Sequence, residues 1–223
     1  KSSKTIYYSG YHELAYLHHA RFTPDPEVLT EVGLKAGDTY FLLRFNAFRA
    51  HHDGGIQGLS LDNKRKLINM LEQHGKVFIT TESNIDEEFS KYSLRVSPDK
   101  VHSLIYFATM LIGDSQTMTS ESAVLGTPAI RCNSFVGRIS YLEQEEHVYN
   151  LTYGFLPHDT NAMFDKIEEL LTIPDLKSEW QRRRQRMLAD KIDVTAFHIW
   201  FIENYPESAR IMKDNPEYQM RFR

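Results

Sequence analysis

The chain has 223 residues, 41% hydrophobic and 25% charged, which suits one large globular domain or a domain with an appendage and excludes a disordered or fibrous chain. Its 26 Lys and Arg against 30 Asp and Glu leave a net charge of −4, which argues against a general binder of nucleic acid or acidic membranes. Cys132 is the single cysteine, so no internal disulfide framework exists and the cytoplasm is the expected compartment. No apolar run approaches the roughly 18 residues of a membrane span, and no signal peptide is visible.

Residues 1–36 carry aromatics and histidines (Tyr7, Tyr8, Tyr11, His12, Tyr16, His18, His19) and then Pro24 and Pro26. They do not form a complete strand–helix unit and read as a linker from another domain upstream of Lys1. From residue 37 the pattern changes. Residues 40–44 are a buried strand, and 62–74 a helix with Leu67, Ile68 and Leu71 at helical spacing, ended by Gly75. Residues 77–80 are a second strand. A helix follows over 98–110, with Val101, Leu104, Ile105 and Ala108 on one face, then a short strand at 111–113. Residues 117–125 are helical, and 129–131 form a strand after Gly126-Thr127-Pro128. Further helices are expected over 161–171, 179–191 and 195–204. Arg182, Arg183, Arg184 and Arg186, near Trp180, read as the solvated face of a polar helix. Residues 206–223 read as a polar tail. Strand–helix alternation with short links predicts parallel strands joined by right-handed crossovers. The fold class is α/β, a doubly wound, Rossmann-like parallel sheet over residues 37–205.

Residues 111–131 concentrate the chemistry. A strand ends at Gly113, Asp114 to Thr117 are turn and cap types, and a helix begins at once. In an open parallel sheet, ligands bind beyond the carboxyl ends of the strands, and a helix N-terminus there suits a phosphate. Ser115, Gln116 and Thr117 add side-chain donors. Glu121, one turn in, can accept from the 2′ and 3′ hydroxyls of a ribose. A capped helix with a solvated Glu121 is the plain alternative. Arg44 ends the first strand at the same edge, where a planar guanidinium suits a diphosphate. His51 and His52 follow it in a glycine-bearing loop, and Arg131 and Arg138 bracket the loop after the 129–131 strand. His51, His52 and Asp53 also leave open a metal-dependent phosphohydrolase, although no second ligand set falls at helical spacing.

The segment resembles the sugar-nucleotide motif in the C-terminal domain of the UDP-N-acetylglucosamine 2-epimerases, Thr-Asp-Ser-Gly-Gly-x-Gln-Glu-Glu-Ala followed by Leu-Gly-x-Pro and a strand ending in Arg. Asp114, Ser115, Glu121, Leu125, Gly126, Pro128 and Arg131 match that pattern. Gln116 and Thr117 replace its two glycines, and Ser120 its first Glu. Residues 10–18, Pro24-Asp25 and residues 113–119 resemble more closely a prokaryotic family of predicted glycosyltransferases related to those epimerases. The resemblance implies the C-terminal half of a GT-B fold, with Glu121 on the ribose. It implies a nucleoside-diphosphate sugar, UDP-linked in the epimerases, as ligand, and a missing N-terminal domain as partner. Arg44, Asp114, Ser115, Gln116, Thr117, Glu121, Arg131 and Arg138 are the expected binding residues, with His51 and His52 behind them. The expected function is the nucleotide-sugar-binding domain of a glycosyltransferase or epimerase relative, silent in catalysis without the second wall of its cleft. No catalytic base, metal or other cofactor is assigned, and no nucleic acid or membrane span is expected. A homodimer and a non-catalytic binding module on the same fold stay open.

Overall fold

A computed structural model describes residues 5–45, 58–81 and 85–223. In chain order these form α1 (Leu14–Leu17), α2 (Glu27–Glu31), β1 (Tyr40–Phe45), α3 (Leu61–Leu71), β2 (Lys76–Thr81) and α4 (Val101–Phe107). There follow β3 (Met110–Gly113), α5 (Gln116–Leu125), β4 (Ala129–Cys132), α6 (Ser140–His147), β5 (Thr152–Phe155) and α7 (Thr160–Leu171). The chain ends with α8 (Leu176–Asp190), α9 (Val194–Glu203) and α10 (Glu207–Asp214).

All five strands are parallel, in the order β2-β1-β3-β4-β5. Parallel sheets covered on both faces read as continuous apolar runs. Tyr40 to Leu43 of β1, Met110 to Ile112 of β3 and Ala129 to Cys132 of β4 are all buried accordingly. The doubly wound, Rossmann-like class expected from the sequence is the fold observed. β5 was not expected. It is an edge strand, Thr-Tyr-Gly-Phe, in which only Thr152 is buried, so no apolar run marks it. α6 also escaped the helical pattern, because Leu142 is its one buried apolar residue. The helix expected over 98–110 is shorter. A 3-10 turn at Pro98–Lys100 leads into α4, and Ala108 is extended because the chain must already turn into β3.

α5 lies inside the domain, buried from Met118 to Leu125. Gly126 ends it in the left-handed region at φ 72°, where a Cβ would also lie 2.5 Å from Gln181 Nε2. The last carbonyls of α5 are satisfied by α8. Gln181 Nε2 donates to Leu125 O and Gly126 O, both at 3.0 Å, and Arg184 Nε donates to Val124 O at 2.7 Å. The arginine run of α8 is therefore not one solvated face. Arg182 is exposed and pairs with Glu179, Arg183 lies 4.1 Å from the centre of the Trp180 ring, and Arg184 is buried.

The chain divides into two compact units, Pro24–Arg184 with the sheet, and Lys1–Thr23 together with Gln185–Arg223. Within the second, Ile192 N–H donates to Ser9 O at 3.0 Å and Asp193 N–H to Phe222 O at 2.7 Å. Arg21 grips the Asp193 carboxylate with two bonds, 3.0 and 2.7 Å. Phe197 is ringed by Tyr8, Trp200, Phe201 and Phe222. Contacts between the two ends of a chain leave no periodic mark in its sequence.

Candidate functional site

The strand order makes β1 and β3 neighbours although the chain leaves β1 toward β2. The crossovers then run the other way, through β3 to β5. The carboxyl ends of β1 and β3 thus flank a switch point, where a crevice opens in sheets of this kind. Arg44 and Gly113 sit opposite one another there. A Cβ on Gly113 would lie 2.0 Å from the Arg44 carbonyl oxygen, so the close approach of the two strand ends requires glycine. Asp114 N–H donates to that same carbonyl at 3.1 Å. Asn133, fully buried beyond β4, donates from Nδ2 to Asp114 O at 2.8 Å and accepts from Phe135 N–H at 2.9 Å. Three consecutive strand ends are tied together before any ligand arrives.

The N-terminus of α5 rises from this edge. Ser115 is its N-cap, and its Oγ accepts from Met118 N–H at 3.3 Å. Gln116 and Thr117 are the first two helical residues, and their N–H groups have no intrahelical acceptor. Thr117 is exposed, Ser115 and Gln116 are half-buried, and Asp114 is buried. Arg44 is half-buried, its Nη1 3.5 Å from Thr80 Oγ1 on β2. The residues expected at Arg44 and 114–117 therefore converge on one edge.

Glu121 is not a solvated side chain. It is 8% exposed, and its Oε1 lies 3.0 Å from His102 Nε2 on α4. Ser120, which stands where the epimerase pattern has its first Glu, is fully buried and donates to Glu145 Oε1 at 2.6 Å.

Arg131 is 1% exposed, with Nη2 3.6 Å from Glu143 Oε1 on α6. Burial lowers its pKa, opposed by the charges of Glu146, Glu143 and Glu145. Its Nε and Nη1 find no hydrogen-bond partner among the described residues. Glu146, in turn, is pushed up by burial. Arg138 is exposed in the loop after β4, with its N–H donating to Phe135 O at 3.0 Å. His51, His52 and Asp53 lie outside the described residues. Cys132 has its thiol pushed up to about 11, first by burial and then by the charges of Asp114 and Asp159, which makes it a poor nucleophile.

Sequence reasoning missed His102 and Asn133. His102 acts across 19 positions, a separation no motif rule covers. Asn133 stands in a loop whose arginines drew attention instead.

At the opposite, amino edge of the sheet a cavity of about 540 Å³ is lined in part by Thr39, Tyr40, Ala108, Thr109 and Lys177. Lys177 Nζ there donates to Thr127 Oγ1 at 3.0 Å and to Tyr106 O.

No family model matches this chain, and no curated protein matches it in sequence. Solved structures match it in fold. A UDP-N-acetylglucosamine 2-epimerase superposes with a TM-score of 0.51 at 15% identity, over 92% of this chain and 53% of that one. SsfS6, a glycosyltransferase of Streptomyces sp. SF2575, gives 0.47 at 10% identity over 82% and 45%. The wall teichoic acid polymerase TagF gives 0.45 at 15% identity over 98% and 54%. The chain spans about half the length of each of these proteins. The likeness to the epimerase establishes the fold, a Rossmann-like domain of the GT-B type. No helix of the described residues is long and apolar enough to cross a membrane.

Proposed function

We propose that this chain is the C-terminal, nucleotide-sugar-binding half of a GT-B-type glycosyltransferase or epimerase-like enzyme. The observation that carries the reading is the β1/β3 switch point, where Arg44, a helix N-terminus and a buried, hydrogen-bonded Glu121 belong to adjoining elements. A diphosphate would lie against the first-turn N–H groups of α5, with the Ser115, Gln116 and Thr117 side chains beside it. Arg44 would supply the positive charge that neutral donors lack. Asp114, buried and bonded through both its N–H and its carbonyl, would hold the loop in shape. Glu121 would accept from the ribose hydroxyls. Arg131, with two donors lacking acceptors among the described residues, and Arg138 complete the proposed set.

When the bond from sugar to diphosphate breaks, negative charge grows on the leaving phosphate. Fixed N–H dipoles and Arg44 would stabilise that charge without reorganising. The acceptor wall and the catalytic base would come from an N-terminal domain, with residues 1–36 leading out of it. The sole cysteine, buried as a thiol, suits the reducing cytoplasm, the compartment we assign.

Calorimetric titration with UDP tests the site. Glu121→Ala removes hydrogen bonds to a charged acceptor and should weaken UDP by about 1.5–3 kcal/mol. Equal affinity of wild type and variant would remove Glu121 from the ribose.

A further inference from the structure

We infer that His102 is the positioning residue that sets Glu121 as a reader of the ribose diol, and so makes the site prefer ribonucleotides to 2′-deoxyribonucleotides. The inference rests on the nucleotide reading above. Its basis is a polar contact between α4 and α5 at a proposed ligand group, His102 Nε2 to Glu121 Oε1 at 3.0 Å.

A carboxylate buried to this degree is costly unless hydrogen-bonded. An unheld side chain would sample several rotamers, and a diol would pay to order it. His102 answers both problems. In the tautomer with the proton on Nε2, the imidazole donates to Oε1. It also pins the carboxylate plane from a second helix, with no contact to nucleotide required. A carboxylate offers two oxygens, with about four lone-pair sites between them. Two neighbouring hydroxyls can use the carboxylate as a pair, and a 2′-deoxyribose offers only one of them.

The geometry of the fold puts the pair in the right place. α4 leads down into the amino end of β3, so its first turn, with His102, stands at the carboxyl edge of the sheet. α5 leaves that edge from the end of β3, and Glu121 follows one to two turns later. Of the remaining inward residues of α4, Leu104 and Ile105 pack in the core, and Ser103 Oγ accepts from Asp25 N–H at 3.1 Å. His102 is half-exposed, with 27% of its side chain accessible, and is poorly placed to add to the core.

The test compares UDP with 2′-deoxy-UDP by calorimetry on the wild-type chain and on His102→Phe, His102→Ala and His102→Gln. Phe keeps the ring without a donor, Ala removes the ring, and Gln keeps a donor. Wild type should prefer UDP by roughly tenfold or more, the scale of a hydrogen bond to a charged acceptor. Phe and Ala should lose most of that preference and still bind 2′-deoxy-UDP, weakened at most by the share of its 3′ hydroxyl. Gln should recover much of it. Binding of 2′-deoxy-UDP reports whether each variant keeps its fold and its phosphate site, and two donor-free variants guard against one failing to fold. An unchanged preference in Phe or Ala overturns the role of His102 while leaving the nucleotide site intact. Equal binding of the two nucleotides by wild type also overturns it, and leaves only the phosphate part of the site standing. Absence of UDP binding by wild type overturns the nucleotide reading itself.

Discussion

Arg44 illustrates how much a single position at a strand end decides. Its backbone carbonyl takes the Asp114 N–H, and its side chain reaches toward Thr80 at the edge proposed for the diphosphate. Arg44→Ala should weaken UDP by about 1.5–3 kcal/mol and leave uridine nearly unchanged, because uridine carries no phosphate. Arg44→Lys keeps the charge, loses the planar fork and should fall between the two. Parallel titrations with UDP and uridine read the difference, and equal weakening of both would make Arg44 structural. Residues such as Arg44, Ser115 and Glu121 were legible because each belongs to a local pattern, a strand end or a helix start. His102, Asn133 and Glu145 were not, because each acts through a partner that only the fold brings near.

α5 shows the same logic over a whole element. Its N-terminus stands at the carboxyl edge, capped by Ser115, while its C-terminus is closed by Gly126 and by donors from α8. A cation buried at a helix C-terminus also complements the helix dipole. Burial lowers the Arg184 pKa, so its charge is held there at a cost that the Val124 bond and the dipole offset. Arg184→Ala leaves the buried Val124 carbonyl unpaired and should cost about 1–3 kcal/mol of stability in denaturant titrations. A cost near zero would mean that α5 needs no partner at that end. The arginine run was read from composition as solvent-facing, since α8 is polar along its length. Its division into exposed Arg182, stacked Arg183 and buried Arg184 follows from what packs against each, which periodicity does not encode. The buried strands β1 to β4 were legible as apolar runs. β5 and α6 were not, since an edge strand with one buried residue and a helix with one buried apolar residue carry no such run.

At the scale of the molecule, the sheet separates two edges with different chemistry. At the amino edge stands the half-buried Lys177, whose pKa falls from the ordinary 10.5 to about 7, chiefly through desolvation and then through the charge of Arg184. The unfolded chain recovers the ordinary value, so between about pH 7 and pH 10.5 it binds more protons than the folded chain. Stability should therefore rise with pH across that window, and Lys177→Met should flatten the rise. Denaturant midpoints measured along a pH series check this, and an equal slope in the variant would remove Lys177 as its source. The two-unit division joins residues 1–23 to residues 185–223, an association that the aromatic, histidine-rich start and the polar end gave no means to foresee. The Rossmann-like class was legible because alternation of strand and helix follows from local periodicity alone.

The central claim is that a nucleoside diphosphate binds at the carboxyl edge between β1 and β3. Titration of isotopically labelled protein with UDP, followed residue by residue through the backbone amide resonances, tests it most directly. The largest shifts should fall on Arg44, Asp114, Ser115, Gln116, Thr117 and Glu121, with saturation as UDP is raised. Saturable shifts centred on Thr39 and Thr109 at the amino edge, or no saturable shift at all, would contradict it.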